Sequence, residues 1–288
     1  IALAKEISPN PKPRELDVVI STGEQVTIGL LCMALEDMGV KARSYTGGQV
    51  RILTDDAFTK ARIKTIDAGR VLAHVDDGEI AVVAGFQGVD EDGNITTLGR
   101  GGSDTSAVAV AAALQSGQTD KVVCEIFTDV DGVYTTDPNI CPTAKKIERI
   151  SYEEMLELAS LGAKVLQIRS VEMAMKYGVP VHVRSSFSSA PGTMVTGEGA
   201  LEGVVVTGVA YDKGEARVML VGVLDKPGVV AQIFGDLARE NVSVDMIIQN
   251  LPSAGAGDAA SRTDVTFTVA KTDLARVRGA IDAVAANV

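Results

Sequence analysis

The sequence IAVVAGFQGVDEDGNITTLGRGGSDTSAVAVAAAL, residues 80–114, decides the fold of the first part of the chain. Residues 80–84 predict a buried strand, and the polar excursion that follows turns at Asp92 and Gly93. A glycine-rich loop then leads into an apolar helix that begins near Thr105. The free N–H groups and the positive dipole end of such a helix point at whatever lies over the loop, which favours an anion.

The loop GRGGSD, residues 99–104, carries the candidate anion-binding groups. Its three glycines remove Cβ atoms where a ligand would approach, and the Arg100 guanidinium matches a carboxylate or a phosphate. Ser103 and Asp104 fall where a helix N-cap would lie, so Asp104 is either a cap or a functional carboxylate. The glycine spacing and the lack of a following Lys-Ser or Lys-Thr exclude a Walker loop and a dinucleotide fingerprint. The loop alone therefore predicts an anion at a helix N-terminus.

Length, charge and cysteine content bound the class of protein. The 288 residues suffice for two domains, and 46% hydrophobic with 23% charged residues is typical of a soluble globular protein without a membrane-spanning run. The formal net charge of −11 argues against nucleic acid and anionic membranes as partners. Cys32, Cys124 and Cys141 show no ligand spacing and predict reduced thiols in a cytoplasmic protein. His74 and His182 are too few and too far apart for a metal site, so no metal ligands are expected.

The loop is the second of three motifs that follow one another along the chain: STGE at 21–24, GRGGSDTSAVA at 99–109 and TDVDGVYTTDP at 128–138. Together they resemble the aspartate kinases of the amino-acid-kinase superfamily, and the resemblance covers the whole chain. It implies an α/β fold, a three-layer sandwich with a mainly parallel sheet. It also implies phosphorylation of the L-aspartate β-carboxylate by ATP with Mg²⁺, the first step towards lysine, threonine and methionine.

The resemblance assigns residues to the amino-acid substrate. Glu24, in the first turn of a predicted helix, would meet the α-amino group, although a carboxylate that complements the helix dipole explains it as well. Arg100 would clamp a substrate carboxylate, and Phe86 and Ser103 would lie beside the amino acid. Asp104 would orient the reacting groups.

The resemblance also assigns residues to the nucleotide. Thr128 and Asp129 would lie near the base and ribose with Tyr134 nearby, and Lys164 in LGAKVL would contact the transferring phosphates as a third catalytic residue beside Arg100 and Asp104. Without any ligand, the residues from Thr128 to Tyr134 are explained as an ordinary turn, and Lys164 is explained as a surface lysine. Many family members carry Arg after the Asp-Pro pair where this chain has Asn139, so one phosphate contact is absent or supplied elsewhere.

Composition changes to Ser, Gly, Pro, Thr and Ala over residues 188–203, which predicts a domain boundary near 196. We expect a catalytic domain over 1–196, a linker with an extra strand over 197–216, and a regulatory domain over 217–288. The last segment predicts the order β-α-β-β-α, one strand short of the ferredoxin-like βαββαβ unit. With LDKPGVVAQIF at its first turn it looks like an ACT domain.

An ACT domain implies an amino-acid effector, lysine or threonine, and a homo-oligomer formed by edge-to-edge pairing. Asp225 and the N–H groups at Gly228, Val229 and Val230 would take the effector carboxylate, and Gln249 would reach its polar side chain. A tight turn explains the glycine, and a solvent-facing strand position explains the glutamine, without an effector.

Both ends depart from the family pattern. The chain starts in IALAKEI, which has the character of a helix interior, and lacks the family's N-terminal Lys-Phe-Gly-Gly strand. It ends where a fourth ACT strand should begin. Loss of a lysine charge clamp costs on the order of 10²-fold in rate, so we expect this truncated chain to be a weak or inactive enzyme.

The alternative function is a catalytically weak fragment that serves as an amino-acid-binding regulatory and oligomerisation module. Other amino-acid-kinase reactions, on glutamate, carbamate or UMP, are disfavoured by STGE and by the ACT unit.

Overall fold

A computed structural model describes residues 1–116, 122–163, 165–197, 206–211, 213–240, 242–249 and 262–285 of the chain. The chain separates into two compact units, Ile1–Tyr211 and Asp212–Val288. Val209 N donates a hydrogen bond to Thr135 O (2.7 Å), so residues 206–211 are tied to the first unit, in which they form neither helix nor strand. The domain ranges 1–196, 197–216 and 217–288 stay predictions.

The first unit alternates helices and strands. Its helices are α1 (Ala2–Ile7), α2 (Pro13–Asp37), α3 (Gly69–Asp76), α4 (Gly102–Gln115), α5 (Tyr152–Ser160) and α6 (Ile168–Tyr177). Its strands are β1 (Ala42–Tyr45), β2 (Leu53–Thr54), β3 (Ile63–Thr65), β4 (Ile80–Val83), β5 (Gln87–Val89), β6 (Ile95–Thr97), β7 (Cys124–Thr128), β8 (Arg149–Ser151), β9 (Val181–Ser185) and β10 (Thr193–Thr196).

The strands of the first unit form mixed sheets. β1 and β4 pair in parallel. A second sheet has the order β3-β2-β5-β6, parallel between β2 and β5 and antiparallel at both ends. A third has the order β7-β9-β10-β8, in which β7 and β9 are parallel, β9 and β10 antiparallel, and β10 and β8 parallel. Helices alternate with these strands, which confirms the predicted α/β class.

Helix α2 begins earlier than the sequence pattern indicates. The apolar spacing predicts a helix over 25–38, but α2 runs for 25 residues from Pro13, a residue suited to the first helical position. A glycine after the last apolar residue, Met38, predicts that the helix stops at Gly39, and the structure confirms this: Gly39 has φ +80° just after the helix. Glu24 therefore lies inside the helix and not in its first turn, which removes the helix dipole as an explanation for this carboxylate.

Helix α2 is also long and apolar enough to cross a membrane, by length and composition alone, contrary to the expectation from apolar runs. One such helix near an N-terminus is weak evidence for a membrane span. In this fold α2 packs on β1, β4 and β6 and carries a buried carboxylate, Asp17.

Residues 80–115 form a strand, a hairpin and a helix. The hairpin turn at Asp92 and Gly93 is confirmed, with Gly93 at φ +82°. The strand β4 is less buried than predicted, because Ile80 is 44% exposed. Helix α4 starts at Gly102 with Gly101 as its N-cap in the left-handed conformation (φ +69°). Ser103 and Asp104 therefore lie in the first turn and not at the N-cap, so the capping alternative for Asp104 is excluded.

The main core of the first unit lies between the β7-β9-β10-β8 sheet and helices α4, α5 and α6. Val108, Met155 and Val171 contribute from the helices, and Val183 and Val195 from the strands. All five are essentially inaccessible to solvent, which makes this sheet the rigid support of the loops at its edge.

Two further helix ends follow the sequence pattern. Ser151-Tyr152-Glu153-Glu154 has the sequence pattern of a capping box. The structure confirms it at the start of α5, where Glu154 N donates to Ser151 Oγ (3.1 Å) and Ser151 N donates to Glu154 Oε2 (3.0 Å). Helix α6 ends at Gly178 with φ +64°, the predicted stop.

The second unit follows the predicted β-α-β-β-α order. Its elements are β11 (Glu215–Leu224), α7 (Val229–Arg239), β12 (Val244–Gln249), β13 (Arg262–Ala270) and α8 (Leu274–Ala285), with a short 3-10 turn at Lys271–Asp273 before α8. The described residues form a three-stranded antiparallel sheet in the order β11-β13-β12. Leu237, Phe267 and Val277 anchor its core between the sheet and the two helices.

Candidate functional site

The glycines of loop 99–104 are required by protein packing. A Cβ on Gly99 would lie 3.0 Å from Thr59 O, and a Cβ on Gly102 would lie 2.8 Å from Phe86 Cδ2. A Cβ on Gly101 would collide with the Gln167 side chain. The prediction that these glycines open space for a ligand is therefore wrong, because the chain itself occupies that space. The loop is wedged among three neighbouring segments, which fixes its main chain.

Phe86 links strand β5 to the start of α4. Its φ is +67°, a conformation that a bulky residue rarely adopts. Two hydrogen bonds hold it there: Phe86 N donates to Ser106 Oγ (3.1 Å), and Leu98 N donates to Phe86 O (2.9 Å). Strained residues that their surroundings hold in place cluster at functional sites. The predicted substrate residue Phe86 thus packs directly against loop 99–104.

Arg100 and Ser103 point outward from this loop. Both residues are exposed, and among the described residues no carboxylate forms an ion pair with Arg100. A guanidinium without an internal partner at a helix N-terminus is free to bind a carboxylate or phosphate of a ligand.

Glu24 carries a buried carboxylate oxygen without a partner. Its Oε2 is inaccessible to solvent and accepts no hydrogen bond from any described residue. An unsatisfied buried acceptor of this kind costs free energy, and an ammonium group would satisfy it.

Gln87, which the sequence reasoning missed, ties the Glu24 turn to the strand after Phe86. Gln87 is 2% exposed, donates from Nε2 to Ser21 O (3.1 Å), and accepts from Gln25 Nε2 (3.1 Å). These contacts bracket Glu24 on either side along helix α2. The structure therefore joins the STGE helix, Phe86 and loop 99–104 in one chain of contacts. A glutamine in an otherwise apolar strand was the available signal.

Asp104 faces the start of helix α6. Its Oδ2 accepts a hydrogen bond from Gln167 N (3.4 Å), the N-cap residue of α6. Burial raises the pKa of the Asp104 carboxyl above its usual range, and the Gln167 hydrogen bond opposes this only in part. Burial, with a contribution from the charge of Asp104, raises the pKa of the Cys124 thiol to about 11. Asp104 thus lies between the sheet and two helix starts in a partly desolvated position.

The predicted nucleotide residues lie at and just beyond the end of strand β7. Thr128 ends that strand beside its parallel neighbour β9, and its hydroxyl donates to Asp129 Oδ1 (3.1 Å). The carboxyl ends of parallel strands are where open α/β sheets bind ligands. Asp129 is exposed, so its carboxylate is accessible from solvent.

Tyr134 is held by an acidic residue and a lysine that the sequence reasoning missed. Its hydroxyl donates to Asp131 Oδ1 (2.9 Å), and Lys146 Nζ lies 3.3 Å from Asp131 Oδ2. Burial opposes ionisation of Asp131, but the hydrogen bonds from Tyr134 and Lys146 outweigh it and keep the pKa of this carboxyl below its usual range. No spacing in the sequence indicated this pairing, because Asp131 and Lys146 meet only across a turn.

Two further positions that the resemblance relates to the nucleotide phosphates make no described contact with the residues at the end of β7. Lys164 lies outside the described residues. Asn139, in place of the usual arginine, is exposed in a turn where its N–H donates to Asp137 Oδ1 (2.8 Å). Within the described ranges no group of three or more His, Cys, Asp or Glu side chains could hold a metal ion.

The predicted effector residues divide into two kinds. Gly228 is the left-handed N-cap of α7 (φ +96°), and Val229 and Val230 follow it with side chains packed on the core of the second unit. Asp225 and Gln249 are exposed. Their roles in binding an effector stay predictions.

Comparison with known proteins follows the same division of the chain. Residues 1–185 match the amino acid kinase family, and residues 217–286 match the ACT domain. The chain is 54% identical to an aspartate kinase of Stutzerimonas stutzeri, covering all of this chain and 68% of that protein. It is 53% identical to an aspartokinase of Pseudomonas aeruginosa, again covering all of this chain and 68% of the relative.

Solved structures agree with these relatives. The structure is similar to Escherichia coli aspartokinase III in complex with aspartate and ADP, with a TM-score of 0.74 and 30% identity over 94% of this chain and 58% of that chain. The same enzyme in complex with lysine and aspartate gives a TM-score of 0.68, with the same identity and coverage. The chain therefore spans about two thirds of its curated relatives and a smaller share of these structures. The chain belongs to the amino acid kinase family, and within it to the aspartate kinases that carry an ACT domain.

Proposed function

We propose that this chain phosphorylates the β-carboxylate of L-aspartate with ATP, giving 4-phospho-L-aspartate and ADP. The observation that carries the proposal is the buried, unpartnered Oε2 of Glu24, on a helix joined through Gln87 to Phe86 and loop 99–104. The α-amino group of an amino acid supplies the missing hydrogen-bond donor. Escherichia coli aspartokinase III, whose fold this chain shares, binds aspartate and ADP.

The amino acid would be held at both of its charged ends. Glu24 accepts from the ammonium group, and Arg100 donates to a substrate carboxylate beside Phe86 and Ser103. Two fixed charges of opposite sign select a zwitterion, and their separation determines where the reacting carboxylate lies.

Phosphoryl transfer then depends on positioning and charge neutralisation. A β-carboxylate oxygen of aspartate forms a bond to the γ-phosphorus of ATP while the bond from that phosphorus to the β–γ bridging oxygen breaks, and ADP leaves. Asp104, held at the start of α6, orients the reacting groups, and Lys164 would offset charge on the transferring phosphate. Mg²⁺ bound to the phosphates would supply further positive charge.

The nucleotide would lie at the end of strand β7, with Thr128 and Asp129 near the base and ribose. Tyr134 would line the same edge, because Asp131 accepts a hydrogen bond from its hydroxyl and Lys146 in turn holds Asp131. A cytoplasmic location is consistent with ATP and aspartate as substrates.

The second unit favours a regulatory function in addition. We propose that it binds lysine or threonine at Asp225, Gly228, Val229, Val230 and Gln249, and that it pairs with a second copy. Strand β12 supports the pairing, since Met246, Ile247 and Ile248 on this edge strand are each about half exposed (51%, 52% and 50%). Escherichia coli aspartokinase III has been solved with lysine.

The decisive experiment is ADP release by the purified chain with ATP, Mg²⁺ and a panel of acceptors. We expect slow but measurable turnover with aspartate, in keeping with the weak activity that the sequence predicts for this chain, and none with glutamate, carbamate or UMP. Turnover with another acceptor would refute the substrate assignment. Absence of all turnover, with lysine or threonine still raising the thermal midpoint, would favour the alternative of a regulatory and oligomerisation module.

A further inference from the structure

A buried carboxylate holds two main-chain segments at the start of loop 99–104: residues 59–61 and residues 97–98. Asp17, on α2, is 0% exposed. Its Oδ2 accepts hydrogen bonds from Thr59 N (2.9 Å) and Thr97 N (2.9 Å), and its Oδ1 accepts from Thr97 Oγ1 (2.7 Å). Charge-assisted hydrogen bonds in a desolvated position are the strong class of such bonds, so Asp17 anchors both segments to α2.

A guanidinium holds the same two segments through their carbonyl groups. Arg169, on α6, donates from NH1 to Leu98 O (2.8 Å) and from NH2 to Ala61 O (2.9 Å). The segments are also joined to each other, because Ala61 N donates to Thr97 O (2.9 Å). The Asp17 carboxylate therefore accepts from N–H groups of both segments, and the Arg169 guanidinium donates to C=O groups of both. We call this pair of side chains the clamp.

The clamped residues directly precede the loop that carries Arg100. Leu98 is followed by Gly99, whose Cβ position lies 3.0 Å from Thr59 O. Thr59 has φ +70°, a conformation that costs energy for a β-branched residue and persists only where neighbours hold it. The start of the loop, at Gly99, therefore packs against Thr59, which Asp17 holds in place.

We propose that Asp17 and Arg169 are positioning residues that set the placement of Arg100 relative to Glu24 and so determine the affinity for the amino-acid substrate. The inference rests on the proposed function, in which these two side chains bind the ends of aspartate. Asp17 lies on the same helix as Glu24, so its bonds to Thr97 connect that helix to the end of strand β6, two residues before the loop that carries Arg100.

The hydrogen-bond geometry singles out a conservative variant that should preserve the clamp. In Asp17→Asn, an amide oxygen at the Oδ2 position still accepts from both N–H groups, and the amide nitrogen donates to the Thr97 hydroxyl, which can reverse its role. In Asp17→Ala all three bonds are lost. Asp90→Ala is a matched control: Asp90 is 7% exposed and accepts from Asn94 N (2.7 Å) and Asn94 Nδ2 (2.8 Å) at the far end of the same hairpin.

The experiment combines kinetics with amide hydrogen exchange. For Asp17→Ala we expect KM for aspartate to rise about 10-fold or more and kcat to fall, with KM for ATP changed less than about 2-fold. Amides of residues 97–104 should exchange faster. Asp17→Asn should restore both readouts towards wild type. Asp90→Ala should speed exchange only near residues 90–95 and leave KM for aspartate unchanged.

A merely structural Asp17 would lower the thermal midpoint and the active fraction while KM for aspartate and exchange at 97–104 stayed as in wild type, and that result would overturn the proposal. If Asp17→Ala does not fold, Arg169→Ala and Arg169→Lys are compared in the same assays. Arg169→Ala should raise KM for aspartate more than Arg169→Lys does, because lysine can still reach one of the two carbonyls. Wild type without aspartate turnover would refute the proposed function, whereas the exchange pattern at 97–104 would still decide whether the clamp orders the loop.

Discussion

At the scale of single residues, Glu24 is the clearest mark of a ligand. Its buried oxygen has no partner among the described residues, and its position inside α2 rules out the helix dipole as the reason for its charge. Polar atoms left unsatisfied in a fold require an explanation, and an ammonium ligand gives one.

Glu24→Gln should therefore raise KM for aspartate by roughly 10- to 100-fold, the loss of about 1.5–3 kcal/mol for a hydrogen bond to a charged group. KM for ATP and the thermal midpoint should not fall. Steady-state kinetics at varied aspartate would check this, with the exposed Glu36→Gln on the same helix as control. Equal effects of the two variants would contradict the assignment.

Asp104 links stability to pH through its environment. Because burial raises its pKa in the folded state, the folded chain binds this proton more tightly than the unfolded chain does. Ionisation then opposes folding, and the wild type loses this part of its stability as pH rises from the usual carboxyl pKa through the raised one. Asparagine cannot ionise and keeps an acceptor for Gln167 N.

Asp104→Asn should thus match wild type in unfolding midpoint near pH 4 and exceed it near pH 8, while kcat falls by about 10²- to 10³-fold. Urea unfolding across this pH range measures the divergence. The exposed Asp92→Asn controls for the change in net charge. A constant difference between Asp104→Asn and wild type at every pH would contradict the role of burial.

At the scale of elements, the junction between strand β5, loop 99–104 and α4 depends on the absence of a side chain at Gly102. The position that a Cβ would take is 2.8 Å from Phe86 Cδ2 and 2.9 Å from Leu98 Cβ, distances that require movement of both elements.

Gly102→Ala should destabilise the fold by about 1–3 kcal/mol and abolish most aspartate-dependent turnover. Gly29→Ala on α2, where nothing lies within 4 Å of the new Cβ, should instead stabilise by up to about 1 kcal/mol. Chemical denaturation of both variants tests the contrast. A neutral Gly102→Ala would show that the loop adapts readily.

At the scale of the whole molecule, the second unit presents an apolar edge. Three consecutive half-exposed apolar residues on an edge strand form a surface that a second copy of the unit could cover.

Ile248→Lys should shift the protein towards smaller species in sedimentation velocity, because a charge at a paired edge must be desolvated. Val221→Lys, on the opposite edge strand β11 and 71% exposed, should leave sedimentation unchanged. Both variants should retain a cooperative unfolding transition of the second unit, which shows that the unit still folds. Unchanged sedimentation for both variants would argue against pairing through β12.

The sequence by itself determined the family, the α/β class, the element order of the second unit and the turns at Gly39, Asp92–Gly93 and Gly178. These features depend on local patterns, in which apolar period, capping residues and glycines at positive φ act over a few residues.

The tertiary structure alone decided where α2 begins, why loop 99–104 needs its glycines, and which side chains hold the site. Asp17 and Arg169 carry no local signal, because they bind main-chain groups far away in the sequence. Gln87 stands out only as a glutamine in an apolar strand, and its partners on α2 are equally distant in the sequence. Long-range hydrogen bonds depend on how elements pack, and no spacing along the chain encodes that directly.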